Sequence, residues 1–164
     1  PNPVYLVYSH WGKEVYEKEC GPIAELEKKA AKVFDNNDLA APISSGSVPS
    51  AGMVILPCSA NTLGEISSGL GSTLITRTAH CHLKERRPLI LCLREDPLSL
   101  IDIKNAEIIT QAGGIIMPIS PQFYMFGKKN PSQITLQELL ESFADRVFSL
   151  LGFKTGKTWE EIIL

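Results

Sequence analysis

The chain has 164 residues, 44% of them hydrophobic and 21% charged, with a formal net charge of −2. That composition can bury a sizeable core, which excludes a disordered chain, and its slightly acidic balance argues against nucleic acid as the main partner. No apolar run approaches the ~18 residues of a membrane helix, and no secretory signal is expected before the first strand. Cys20, Cys58, Cys81 and Cys92 form no CxxC pair. Cys58 and Cys92 lie in apolar runs, so reduced core thiols in a cytoplasmic protein are expected.

Pro3–Ser9 reads as a strand ending in a hydroxyl, and Trp11–Glu19 as a short helix stopped by Gly21 and Pro22. Apolar positions at Ile23, Leu26, Ala30, Ala31 and Phe34, with charges between them, predict an amphipathic surface helix over Ile23–Phe34. Asp35–Ser50, rich in Asn, Asp, Pro, Ser and Gly, predicts a long loop. Met53–Cys58 then reads as a buried strand, followed by a polar turn and a helix near Thr62–Leu70. A break at Gly69 and Gly71 leads to a helix near Leu74–Lys84, and Pro88–Leu93 is the next buried strand, ending at Arg94–Glu95.

Ser99 is placed to cap a helix running to Ala112 and ended by Gly113–Gly114. Ile115–Ile119 is a further strand, and Ser120–Pro131 a loop carrying Phe123, Tyr124 and two lysines. The last helix, Leu136–Leu151, has Leu136, Leu139, Leu140, Phe143, Val147, Leu150 and Leu151 along one side, and about 152–164 reads as a tail. Strands alternating with helices predict a single α/β domain whose parallel sheet is covered on both faces. The glycines fit neither GxGxxG nor GxxxxGK[ST], and Gly64–Gly69–Gly71 reads as a helix–helix break.

In such a sheet the strand ends deliver Ser9, Ser59–Thr62, Arg94–Glu95 and Tyr124 to one edge, where open α/β sheets bind ligands. Hydroxyls, backbone N–H groups at a helix start, an arginine and a tyrosine suit a ligand with both an aromatic ring and a phosphate. Taken singly, Ser59 or Asn61 is a helix cap, Arg94–Glu95 a surface ion pair, and Tyr124 a packed loop aromatic; their equivalence at strand ends favours a shared site. Arg77, Lys84, Arg86 and Arg87 form the densest positive segment, which suits a helix end or a phosphorylated substrate. His80–Cys81–His82 invites a metal reading, but adjacent helical residues point in different directions and no fourth ligand is evident, so no metal is expected.

Several blocks in register resemble the UbiX-type flavin prenyltransferases: Asp38-Leu-Ala-Ala-Pro-Ile-Ser-Ser-Gly-Ser47, Pro57-Cys-Ser-Ala-Asn-Thr62, Leu83-Lys-Glu-Arg-Arg-Pro-Leu89, Arg94-Glu-Asp-Pro-Leu-Ser-Leu100 and Phe123-Tyr124. The resemblance runs from about Val4 to Leu151. It implies a flavodoxin-like, Rossmann-like three-layer α/β/α sandwich with a mainly parallel sheet. Pro57–Thr62 is also close to a block of the related cysteine decarboxylases, but the histidine their chemistry uses would fall near Pro42–Ser47, where none stands.

What the resemblance implies is transfer of a dimethylallyl group from dimethylallyl monophosphate to N5 and C6 of reduced FMN, without metal. The prenylated FMN product would serve UbiD-type decarboxylases, and the family suggests a homo-oligomer, a dodecamer. By the same resemblance Ser9, Ser59, Ala60, Asn61, Thr62 and Arg94 contact FMN. Lys84, Tyr124 and Arg146, with Arg77, hold the substrate phosphate. Glu19 and Glu95 flank the prenyl and phosphate groups, Glu95 being a candidate acceptor for the C6 proton, so Glu95, Glu19 and Lys84 are the expected catalytic residues. The alternatives are an FMN-dependent decarboxylase and a non-catalytic flavin-binding subunit. Against the family pattern, this stretch of chain lacks the opening strand and its Gly-Ala-Ser/Thr-Gly phosphate loop. It also carries Val48 where many members have an aromatic, and is longer over Met125–Pro131.

Overall fold

The computed structural model describes residues 3–120, 122–127, 129–156 and 161. In chain order the elements are β1 (Tyr5–Tyr8), α1 (His10–Glu19), α2 (Ile23–Glu27), β2 (Lys32–Asp35), β3 (Met53–Cys58), α3 (Ala60–Ser67), α4 (Leu74–Lys84), β4 (Leu89–Leu93), α5 (Leu100–Gln111), β5 (Ile115–Ile116) and α6 (Leu136–Leu150). Single 3-10 turns form at Pro42–Ser44, Phe123–Phe126 and Pro131–Gln133.

Every strand pairing is parallel. β1 pairs with β2 in the register Leu6–Val33, and β4 lies between β3 and β5 with Ile90 opposite both Val54 and Ile115. β4 is buried along its whole length because it has neighbours on both edges and layers on both faces. Its side chains alternate as a strand must. Leu89, Leu91 and Leu93 join Ile55, Leu63, Ile66, Ala79 and Ile109 on the face covered by α3, α4 and α5. Ile90 and Cys92 turn the other way, onto Phe143 and Val147 of α6.

The sheet comes in two parts, β1–β2 and β3–β4–β5, and among the described residues β1 and β3 do not pair with each other. α4 packs against both β1 and β4 and so straddles the two parts. Parallel strands are ordinarily covered on both faces, yet Tyr5 and Leu56 are exposed, as is Val4 just ahead of β1.

The connector between β2 and β3 lies alongside α4 and is tied to it from end to end. Asn36 at its start accepts from Leu74 N (2.7 Å, through its carbonyl) and from Ile75 N (3.1 Å, through its side chain). Thr78 Oγ1 donates to Ile43 O at 3.2 Å, and Arg77 Nε and Cys81 Sγ donate to Ser44 O at 3.2 and 3.1 Å. Arg87, just past the helix, donates to Gly46 O and Val48 O, both at 2.7 Å. Each bond satisfies a connector group that has no ladder partner.

The sequence reading of one long helix over Ile23–Phe34 is corrected: α2 stops at Glu27, and Lys32–Asp35 forms β2. The Lys32-Val-Phe-Asp35 quartet holds a β-branched and an aromatic residue, and pairing with β1 outweighs the weak helical periodicity of the alanines before it. The helix expected near Thr62–Leu70 starts and ends earlier, at Ala60 and Ser67, since Ser59 is its cap. The Ile115–Ile119 strand is regular only at Ile115–Ile116, but Met117 N and Ile119 N still bond Leu91 O and Leu93 O at 2.9 and 3.1 Å. Parts of the expected 120–131 loop (121 and 128) and of the 152–164 tail (157–160 and 162–164) lie outside the described residues.

Candidate functional site

Two strand ends are built alike. Ser9 follows β1 and caps α1, its hydroxyl accepting from Gly12 N at 3.0 Å. Ser59 follows β3 and caps α3, accepting from Thr62 N at 3.3 Å, with the Ser59 and Thr62 hydroxyls 3.2 Å apart. Extended backbone at Ser59 lets its side chain reach back over the first turn, the ordinary geometry of an N-cap. Ala60 and Asn61 supply the first backbone N–H groups of α3, directed off the strand end where the helix dipole favours an anion or a polar ring edge. The Asn61 side chain donates to Glu65 Oε1 at 2.9 Å.

Arg94 joins this edge through the sheet: its backbone N donates to Cys58 O at 2.9 Å, which sets Arg94 beside Ser59. Its guanidinium donates to both carboxylate oxygens of Glu19, at 2.9 and 3.2 Å. Glu19 ends α1, which belongs to the β1–β2 part, so this ion pair bridges the two parts of the sheet at the strand-end edge. Both partners are about half exposed, so the pair contributes on the order of 0–1 kcal/mol and chiefly orients the guanidinium. Glu95 comes immediately after and is exposed. The ladder contact of Ile119 N with Leu93 O carries the chain along the same edge towards Tyr124, which sits exposed in the Phe123–Phe126 turn.

The structure therefore gathers Ser59, Ala60, Asn61, Thr62, Arg94, Glu95 and Glu19, with Ser9 capping the strand across the gap. It does not gather Lys84, Arg77 and Arg146 with them in one chain. Lys84 ends α4 and pairs with Glu85 at 3.4 Å. It precedes the start of β4, whereas Arg94 lies just past the finish of that strand. Arg77 donates its Nε–H to Ser44 O, and Arg146 projects outward from α6 next to the buried Val147.

Sequence reasoning missed two arrangements. The Arg87 fork is one; the Arg86-Arg87-Pro88 run signals cation density but not its use on carbonyls. The other is His82, which is buried: its Nδ1–H donates to Thr78 O at 2.8 Å, which leaves Nε2 to accept from the Ser50 hydroxyl at 2.8 Å. Burial above all, with Arg87 nearby, holds the imidazole below its ordinary pKa, against the pull of the Thr78 carbonyl. His80 points elsewhere, to Leu70 O at 3.0 Å.

Beneath the site, burial pushes the Cys58 thiol up to about 12, with Cys92 adding to it, and burial takes Cys92 to about 11. Both are packing groups, not nucleophiles.

An open parallel sheet with helix N-termini, hydroxyls and a guanidinium along its carboxyl edge defines an α/β ligand-binding protein of the doubly wound class. Residues 3–145 match the Flavoprotein family, and the chain belongs to it. It is 40% identical over 160 residues to a flavin prenyltransferase UbiX of Deinococcus radiodurans, covering 96% of this chain and 79% of that one. Among solved structures it resembles AnUbiX (PadA1) in complex with FMN and dimethylallyl pyrophosphate, at a TM-score of 0.85 and 36% identity, covering 94% of this chain and 82% of that one. It also resembles a dodecameric FMN-dependent UbiX-like decarboxylase from Escherichia coli O157:H7, at a TM-score of 0.88 and 32% identity, covering 96% of this chain and 84% of that one.

Proposed function

We infer that the chain is a flavin prenyltransferase that binds reduced FMN at the strand-end edge and transfers to it a dimethylallyl group from dimethylallyl monophosphate. The observation that carries this reading is the convergence of the Ser59–Thr62 turn, Arg94 and Glu19 on one edge of a flavoprotein sheet. That donor set fits a flavin: hydroxyls and α3 N–H groups for its polar ring edge, and a guanidinium for its anionic portions. The reduced flavin supplies electron-rich N5 and C6 as the prenyl acceptors.

The chain's own residues do the rest. Arg94, held by Glu19, fixes the orientation of the ring at the ends of β3 and β4. Breaking the allylic C–O bond leaves negative charge on the departing phosphate. Lys84, Tyr124, Arg146 and Arg77 are the donors assigned to stabilise it. Since Lys84 stands a strand length from Arg94 in its own chain, it is assigned to the site of a neighbouring copy, in a homo-oligomer. Glu95 is the proposed acceptor of the C6 proton. A UbiD-type decarboxylase is the proposed recipient of the product.

Incubating the protein anaerobically with reduced FMN and dimethylallyl monophosphate, then analysing the flavin by mass spectrometry, tests the reading. The expected product is a flavin heavier by one prenyl unit. Unchanged flavin, with decarboxylation of a cysteine-ended peptide instead, would replace the prenyltransferase with a cysteine decarboxylase.

A further inference from the structure

Helix α5 carries apolar residues on both of its sides, unlike an ordinary surface helix. Its inward side, packed on α3, carries Asn105 and Ala106 beside the buried Ile109. Asp102 closes the capping box with Ser99, and Asn105 accepts from Ser67 Oγ at 2.9 Å. The outward side is also rich in apolar residues: Leu100, Ile101, Ile103 and Ile108 are 65%, 71%, 52% and 46% exposed. A leucine and three isoleucines facing water along one helix are more than scattered surface apolars and mark an interaction surface.

The pattern on that outward side says which partner. Leu100, Ile103, Lys104, Glu107, Ile108 and Gln111 fall at the spacings i, i+3, i+4, i+7, i+8 and i+11, a single stripe along the helix. Laid antiparallel against an identical stripe about a twofold axis, Lys104 meets Glu107, Ile103 meets Ile108, and Leu100 meets the aliphatic stem of Gln111, each pairing occurring twice. The stripe is thus complementary to itself in shape of pattern and in charge, the requirement of an isologous interface. Among the described residues neither Lys104 nor Glu107 has an ion pair within its own chain; Glu107 takes only the Gln111 amide, at 3.1 Å.

We propose that α5 docks on α5 of a second copy of this chain, antiparallel, with reciprocal Lys104–Glu107 pairs framed by Ile103 and Ile108. This rests on the homo-oligomer reading above and names the surface that builds it. The apolar residues supply the burial, and the charge pairs fix the direction and register of the two helices.

The test is the mass of the full protein in solution, by light scattering at micromolar concentration, with circular dichroism to confirm that each variant is folded. Lys104→Glu and Glu107→Lys each set like charges face to face and are expected to weaken the association about tenfold or more. The double variant Lys104→Glu/Glu107→Lys restores opposite charges in both pairs and is expected to regain the wild-type mass. Ile103→Asp is expected to dissociate the contact with no rescue by the charge swap. An oligomeric wild type whose mass ignores all of these changes overturns the proposal while leaving the oligomer reading intact. A double variant as weak as the singles overturns the antiparallel register, and a monomeric wild type overturns both readings at once.

Discussion

The two parts of the sheet end in the same chemistry and are held by very different means. β1–β2 and β3–β4–β5 each finish in a serine that caps the next helix, Ser9 and Ser59. Yet no strand residue of β1 or β2 is buried, whereas β4 is buried throughout. The contrast teaches that site chemistry is set by the residues just past a strand's end, while the strand's stability is set by its neighbours on either side. Four-residue strands with one paired edge hold their place through Asn36 and α4; five residues between two neighbours become the core.

The sharpest way to break the comparison is to remove one side chain from each part. Leu91→Ala, inside the β4 cluster, is expected to cost about 2–5 kcal/mol in chemical denaturation. Val7→Ala in half-exposed β1 is expected to cost under about 1 kcal/mol. Equal losses would mean that β1 is as deeply packed as β4.

Next comes the tie between the connector and α4. His82→Ala removes the imidazole's packing, its bond to the Thr78 carbonyl and the partner of the Ser50 hydroxyl, and is expected to cost about 2 kcal/mol. The same residue sets a pH dependence. Its folded pKa lies below the unfolded value of ~6.5, so the unfolded chain binds the extra proton first. The stabilisation is complete above pH ~6.5 and is lost as pH falls from there through the folded pKa. Melting curves from pH ~7.5 to ~5 should show that loss in the wild type, and His82→Gln should flatten it.

Smaller still are the caps. Ser59→Ala and Ser9→Ala should each cost about 1 kcal/mol. Ser59→Ala should also weaken FMN in a fluorescence titration, and equal flavin affinity in the variant would remove Ser59 from the site. Smallest in stability is Glu19→Gln, expected within about 1 kcal/mol of wild type because the pair is exposed. Prenyl transfer should nonetheless slow, since Arg94 loses the carboxylate that aims it, and unchanged turnover would confine the pair to a surface role. Native protein treated with a thiol reagent should lose Cys20 first, the one exposed thiol among the four.

Much of this arrangement was legible in the amino-acid sequence. β3, β4, α3, α4, α5 and α6 announce themselves by apolar runs, helical periodicity and the caps Ser59 and Ser99, whereas the caps Thr73 and Thr135 emerge only from the structure. The order in which Ser59–Thr62, Arg94 and Tyr124 reach one edge comes from alternating strands and helices alone. β2 was hidden because four residues give no period to measure and the alanines before them favour a helix. The Glu19–Arg94 contact joins residues 75 positions apart and leaves no local trace. Lys84 was grouped with Arg94 on the strength of resemblance. Only the direction of α4, which ends where β4 begins, shows how far apart one chain keeps them.

The bonds between the connector and α4 have a mechanical consequence. Because its carbonyls are hooked in sequence onto Leu74, Thr78, Cys81 and Arg87, the 36–50 segment is a splint and not a slack tether. Any tilt of α4 drags the splint with it, and with the splint the point where β3 enters the sheet. A force felt by Lys84 at the foot of the helix is thereby carried to the strand whose far tip presents Ser59.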